Sequence, residues 1–360
     1  MIGAFPPPVH GEAAVNHSLR DRLRRAGVPV RTVDISQGAL DRSLSGRARQ
    51  FVRVTHGLAL LAVLGLGRKL GGLYIGVSGG YGQFYAVLFV AVARLCRLKL
   101  FVHHHSYAYL RERRPLTRLL VGIGGPTTTH IVLCEEMKNR LEELYPQARR
   151  VYIVSNAAFL HDGAGVARAR PRHHLRMIGF LSNISRAKGI MEFLNVAARL
   201  ATTHREIRAV VAGPFESPAT EGAVMTVLRK TPGVEYVGPK YDTERDAFYT
   251  DIDLLLFPSR HAHEAEPLAV LEAMMHGVPV ICWDRGCLRS MIGDRFGLVV
   301  ADEADFVDAA TTQITSWLAQ PEIFRTISER IVQEVGDKTV QGAAQRQALI
   351  GMVIQAAASA

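Results

Sequence analysis

Short apolar runs alternate along this chain with longer stretches in which apolar positions recur every three or four residues. The runs at residues 1–5, 28–33, 73–77, 99–103, 131–134 and 151–154 are bounded by Gly, Pro or polar residues and predict strands. Between them, the segment that follows the loop 6–11 and ends near Arg25 reads as a helix, as do 47–64 and 84–95. An irregular stretch from Phe159 to His174, with Gly163, Gly165 and Pro171, interrupts the pattern. It restarts with strands at 176–182, 209–212, 234–237, 254–257, 278–282 and 298–300, and the tail from Phe306 is helical. Repeated strand–helix units predict an α/β fold with parallel, doubly wound sheets. At 360 residues the chain is long enough for two such domains. The expected division is 1–160, a linker 161–174, a second domain 175–338, and a terminal helix 339–360.

The composition, 48% hydrophobic with 32 Gly, fits a folded enzyme and excludes a disordered chain. The net charge of +10 is uneven. Residues 1–170 hold 24 Lys or Arg against 10 Asp or Glu, a net of +14; residues 171–360 hold 19 against 23, a net of −4. A basic first half suits an anionic acceptor or an anionic membrane surface. No nucleic-acid motif accompanies the charge, so nucleic acid is not expected as a partner. Arg47, Arg49 and Arg53 run into the apolar stretch 58–66, which could lie on an interface with its basic end on headgroups. The longest apolar runs, 58–66 and 84–93, are far short of a bilayer span. No basic segment follows Met1, so a secretory signal is not expected and the location reads as cytoplasmic, with peripheral attachment to the inner face of the membrane as the further option. Cys96, Cys134, Cys282 and Cys287 form no CxxC pair and read as reduced thiols.

One stretch is more specific than the rest: Glu264-Ala-Glu-Pro-Leu-Ala-Val-Leu-Glu272-Ala-Met-Met-His-Gly277-Val-Pro-Val. Two carboxylates stand eight positions apart, between one apolar strand and the next. Pro267 suits a first helical turn and Gly277 a left-handed exit. Ligands of open parallel sheets bind where strands end and helices begin, so both carboxylates are placed to meet a polyhydroxylated ligand. The first turn of that helix, Pro267, Leu268 and Ala269, could receive phosphate on its free N–H groups, those of Leu268 and Ala269. A second loop, Ile178-Gly-Phe-Leu-Ser-Asn-Ile-Ser-Arg186-Ala-Lys188-Gly189, places two cations before a helix.

The Glu264-to-Glu272 stretch resembles the Glu-x7-Glu signature of retaining, nucleotide-sugar-dependent glycosyltransferases, of the type called family four. The resemblance implies the GT-B architecture, two Rossmann-like domains facing across a cleft, with the last helix returning to the first domain. It implies a sugar moving from a UDP- or GDP-sugar to a hydroxyl acceptor, with no metal and no cofactor, since the nucleotide sugar is a substrate. A lipid-linked saccharide in glycan or polysaccharide assembly is one acceptor that fits the charge. Carried over residue by residue, Glu264 holds the donor sugar, Glu272 the ribose, and Lys188 the leaving diphosphate. Phe180 stands where the family has Arg, and Arg186 is the candidate replacement. His105 is placed near the donor sugar, with His104 as runner-up. Gly11 matches the second glycine of the family's first loop, His10 replaces the first, and Asn16 is a polar contact one turn later. Gly213 and Gly238 end strands that commonly contact base or ribose. Neighbouring strand residues face opposite ways, so His103, His104 and His105 do not read as a metal site. Asp251 and Asp253 read as a strand cap. The remaining readings are an epimerase or phosphorylase on the same fold, or a non-catalytic nucleotide-sugar-binding subunit.

Overall fold

The computed structural model describes residues 1–6, 11–36, 44–80, 82–160 and 169–358. The chain divides into two compact units, Met1–Leu160 with Gln341–Ala360, and His161–Val340.

The first unit is a six-stranded sheet of β1 (Ile2–Gly3), β2 (Val33–Asp34), β3 (Gly72–Val77), β4 (Lys99–His104), β5 (Thr129–Val132) and β6 (Arg150–Ile153). The order is β2-β1-β3-β4-β5-β6 and every neighbouring pair is parallel. Its helices are α1 (Gly11–Arg25), α2 (Leu44–Leu66), α3 (Gly82–Leu95), α4 (Pro115–Gly124), α5 (Glu135–Leu144) and α6 (Ala157–Leu160). Helices on both faces bury the central strands, which is why those strands are apolar runs without alternation. Val15, Leu19 and Leu23 of α1 pack on Tyr74, Phe101 and Ile131. Leu349, Ile350 and Ala356 of the final helix join the same cluster. The Gln345 side-chain oxygen accepts the Ser155 N–H at 3.0 Å, and Arg346 donates to the Ala158 carbonyl.

The second unit is another all-parallel sheet: β7 (Met177–Leu181), β8 (Arg208–Ala212), β9 (Val234–Tyr236), β10 (Leu254–Phe257), β11 (Val280–Trp283) and β12 (Gly297–Val300). Its helices are α7 (Ile190–Thr203), α8 (Pro218–Leu228), α9 (Asp242–Asp251), α10 (Leu268–Met275), α11 (Leu288–Ile292), α12 (Phe306–Ala319) and the start of α13 (Pro321–Ala357). The strand order β12-β11-β10-β7-β8-β9 changes direction between β7 and β10. Ligands of such sheets bind at that switch point, beyond the carboxyl ends of the strands.

Two strands start later than the sequence pattern suggests. The run 28–33 contributes only Val33 and Asp34, and 278–282 pairs from Val280. Pro29 and Pro279 have no N–H for a ladder bond. The polar helix α5 escapes the periodicity reading because only Met137 and Leu141 are buried. Cys96 and Cys282 are free thiols. Among the described residues no helix is long and apolar enough to cross a membrane.

Candidate active site

At the switch point of the second unit, the loop after β7 touches the loop after β10. Gly189 stands at φ +83°, and a Cβ there would lie 2.1 Å from the Pro258 carbonyl oxygen, so only glycine permits the approach. The Arg260 N–H donates to the Ala187 carbonyl at 2.9 Å and pins the two loops together. Lys188, just before Gly189, thereby reaches Glu264: its ammonium pairs with Glu264 Oε1. The Ser259 hydroxyl donates to the same oxygen at 2.9 Å. Glu264 is buried and Lys188 half-buried, so the pair is shielded from solvent screening. Burial, and for His261 also the Lys188 charge, pushes the pKa values of His261 and His263 down, so both imidazoles beside Glu264 are favoured as neutral.

Two helices begin here. Gly189 caps α7 and Pro267 caps α10, and neither supplies a side-chain acceptor. The first-turn N–H groups of both helices are left for another acceptor, which suits an anion. Arg186 is exposed on the same loop. Phe180 is buried against Phe193, with ring centroids 5.5 Å apart, so its side chain serves the core and not the site. Arg260 stacks on Trp283 with its guanidinium carbon 4.0 Å from the ring centroid.

Glu272 is not in this cluster. It lies on the face of α10 that packs against α9, where Arg245 sits 3.2 Å from Oε1 and the Tyr249 hydroxyl donates to Oε2 at 3.1 Å. With 4% of its surface exposed, burial pushes its carboxyl up to about 7 in spite of Arg245. A carboxyl whose folded pKa exceeds its unfolded value stabilises the fold below the unfolded value and loses that contribution as pH rises towards 7. Moving from 4.5 to about 7 corresponds to about 3 kcal/mol. Glu272→Gln, which mimics the neutral carboxyl, should therefore raise stability above wild type at pH 8 by up to about 3 kcal/mol and leave it unchanged at pH 4. Urea denaturation at the two pH values measures the difference; an equal effect at both would mean that Glu272 folds with an ordinary carboxylate pKa.

In the first unit the three consecutive histidines separate as strand geometry requires. His103 and His104 are fully buried and face different partners. The Tyr74 hydroxyl lies 2.6 Å from His103 Nδ1, while His104 Nε2 lies 3.1 Å from His130 Nδ1 and its Nδ1 3.1 Å from the Tyr109 hydroxyl. Burial holds both well below the ordinary histidine range. His105, just past β4, is the one with partial exposure, and its ring lies 4.0 Å from that of His103. His104 is thus walled in by protein groups, which disfavours it beside His105 as the residue that meets a ligand. Asn16 is fully buried as well: its amide donates to the Ala4 carbonyl at 3.0 Å and its oxygen accepts from Tyr74 at 3.3 Å, so its polar contacts are inside the fold. Glu12, one turn earlier, accepts the Ala4 N–H at 3.2 Å, and burial pushes its carboxyl up to about 7. Gly11 is the first residue of α1, and His10 lies outside the described residues.

Gly213 is held by packing: at φ +130° a Cβ would lie 1.8 Å from the Ser182 carbonyl oxygen, and its own carbonyl accepts the Tyr236 hydroxyl at 2.9 Å. Gly238, at φ +76°, accepts the Gly213 N–H at 3.0 Å and has open space where a Cβ would stand. The Asp253 carboxylate accepts the Arg176 and Met177 N–H groups at 2.8 and 2.9 Å, a cap on β7. Among the described residues no group of three or more His, Cys, Asp or Glu is arranged to hold a metal ion.

Residues 168–333, nearly the whole second unit, match the family described as "Glycosyl transferases group 1". The second unit is similar to this family along nearly its whole length. The 2-deoxystreptamine glucosyltransferase of Streptomyces kanamyceticus is 28% identical over 136 residues, 38% of this chain and 35% of that relative. The match thus spans about a third of that relative's length. Among solved structures, HepE of Anabaena in complex with UDP and glucose is similar with a TM-score of 0.67, 14% identity and 98% of both chains covered. Sucrose-phosphate synthase from Thermosynechococcus elongatus gives a TM-score of 0.71 at 17% identity over 99% of both chains. These likenesses establish the two-domain GT-B fold across the chain, and the family match adds a sequence likeness to group 1 glycosyl transferases over its carboxyl half.

The sequence reading missed Ser259, Arg260, His261 and His263 around Glu264, and Arg245 and Tyr249 around Glu272. Arg245 and Tyr249, four apart, are legible as one face of a helix. That this face meets Glu272 depends on packing between elements. Glu12 could have been found as an acidic residue at the mouth of the first loop.

Proposed function

We propose that this protein moves a sugar from a UDP- or GDP-sugar to a hydroxyl acceptor, with retention at the anomeric carbon and without a metal ion. The observation that carries the reading is the Lys188–Glu264–Ser259 cluster at the switch point, set between two helix starts without side-chain caps. The leaving group of such a transfer is a nucleotide diphosphate, on which negative charge builds as the glycosidic bond breaks. A preorganised ammonium and free helix N–H groups stabilise that charge. Glu264, fixed by Ser259, accepts hydrogen bonds from sugar hydroxyls. Arg186 adds a second cation to the diphosphate, and His105 meets the sugar from the first unit. A ribose role for Glu272 requires its hydroxyls to compete with Arg245 and Tyr249 for the carboxylate.

The acceptor in this reading is a lipid-linked saccharide at the cytoplasmic face of an anionic membrane, which the basic first half supports. The test is a thermal-shift panel of UDP, GDP, ADP and their sugars, followed by transfer from a radiolabelled donor in the presence of EDTA. A ligand of the folded state adds about 2.7 kcal/mol of stability at a hundred times its Kd, and so raises Tm. One nucleotide diphosphate should stand out, and label should move to acceptor. A shift without turnover would point to a non-catalytic binder, label in an isomerised donor to an epimerase, and loss of turnover in EDTA to a metal-dependent site.

A further inference from the structure

The amino-terminal edge of the first sheet carries features that sugar transfer leaves unused. α2 and α3 both end there, since each helix of a parallel βα unit runs back towards the start of the next strand. Gly65 brings the two exits together: a Cβ on it would lie 2.8 Å from Cys96 Sγ. Both exits make the same turn. Arg68 at φ 53° and Arg97 at φ 58° stand in the left-handed region where glycine is usual. The Arg68 N–H donates to Gly65 and the Lys69 N–H to Leu64; the Arg97 N–H donates to Arg94 and the Leu98 N–H to Ala93. The chain thus holds arginine twice where arginine is conformationally strained.

Beside these arginines Leu66 is 74% and Leu95 81% exposed. Lys69 and Arg94 are exposed too, and none of Arg68, Lys69, Arg94 and Arg97 pairs with a carboxylate among the described residues. Residues 42–111 contain ten Lys or Arg and no Asp or Glu. A pocket of about 170 Å³ opens at this edge. Leu60, Leu61 and Leu64 of α2 line it with Leu73 and Val353, and Arg31 and Lys69 are its cations. The cluster expected further back on α2 is less suited to contact an anion. Arg53 is engaged by the Asp34 carboxylate at 3.4 Å and by the Ser36 carbonyl, and the Arg47 side chain lies outside the described residues.

We propose that this edge docks on a bilayer of anionic lipid. Leu66 and Leu95 enter the acyl region, the four cations hold headgroup phosphates, and the pocket under α2 takes one lipid chain. The proposal rests on the membrane-surface part of the reading above and is independent of the sugar chemistry. A nucleic acid would use the cations but not the exposed leucines; an anionic amphiphile uses both. Docking through this edge turns the opposite edge of the same sheet, with Gly11 and His105, away from the bilayer, so a lipid-linked acceptor has to reach it through the length of its saccharide.

The test is flotation of the full chain with vesicles of phosphatidylcholine, with and without phosphatidylglycerol, at low and high salt. Binding should need the anionic lipid and be released by salt. Leu66→Asp with Leu95→Asp should abolish it. Arg68→Gly with Arg97→Gly should weaken it by on the order of twentyfold, since each cation near the surface contributes about fivefold. The same glycine pair should not lower Tm, because glycine suits the left-handed turn, so weaker binding cannot be ascribed to unfolding. Leu60→Trp should gain fluorescence quenched by lipids brominated on the chain. The nucleotide thermal shift serves as the separate readout of the sugar site and should be unchanged in the glycine pair. No flotation with anionic vesicles at low salt, wild-type flotation of the glycine pair, or loss of flotation only when the protein unfolds would each overturn the proposal.

Discussion

Lys188→Ala is expected to slow sugar transfer by about 10²–10³-fold, the usual loss when one preorganised donor to a developing anion is removed. Lys188 is held for that task by its position rather than by its charge alone. Gly189 lets its loop touch Pro258, and Glu264 and Ser259 fix the direction of the ammonium. The single variant also leaves Glu264 as a buried carboxylate with one hydroxyl donor, which should reduce stability by about 1–3 kcal/mol. The double variant Lys188→Ala with Glu264→Gln removes that stranded charge. It should recover the stability and none of the rate. Steady-state kinetics beside urea denaturation separates the two effects. If the double variant transfers sugar as fast as wild type, the diphosphate role of Lys188 is wrong. Arg186→Ala is the companion measurement, and a silent Arg186→Ala would leave Lys188 and the helix starts as the whole diphosphate site.

Gly213→Ala should destabilise the second unit by about 3–5 kcal/mol, combining left-handed strain with overpacking. The new Cβ would stand 1.8 Å from the Ser182 carbonyl oxygen, a backbone atom that cannot swing aside as a side chain would. Ser182 begins the Lys188 loop, and its N–H donates to Ala212 at 3.2 Å. Any relief of the clash therefore displaces the loop that carries the candidate site. Against a typical total of about 5–15 kcal/mol this is a large share of the unit's stability. The denaturant midpoint should fall steeply. A variant with wild-type stability and weakened nucleotide binding would instead return Gly213 to the donor-contact role that its place at a strand end suggests.

The strand–helix alternation was legible because burial on both faces of a parallel strand makes local apolar runs, and nearly every strand lies where its run lies. The switch point was legible in part. The Lys188-Gly189 loop and the Glu264 loop each stand between a strand and a helix, and that placement is local. Elements dominated by charge, such as α5, leave little periodic trace and escaped the reading.

What sequence determined by itself is the α/β class, the residues of the Glu264-to-Gly277 stretch, and the contrast between a basic first half and an acidic second. These depend on neighbours a few positions apart and on counting. Only tertiary structure decided that Glu264 meets Lys188, 76 positions away, while Glu272 turns to Arg245 and Tyr249. Two glutamates eight positions apart near one helix look equivalent in sequence. They differ because one ends a loop at the edge of the sheet and the other is trapped between two helices. The same holds for Asn16 and His104, whose polar side chains are satisfied inside the fold, and for the ends of α2 and α3, brought together by the approach of Gly65 to Cys96. Long-range packing sets burial and partners, and no local pattern records which partner a polar side chain will find.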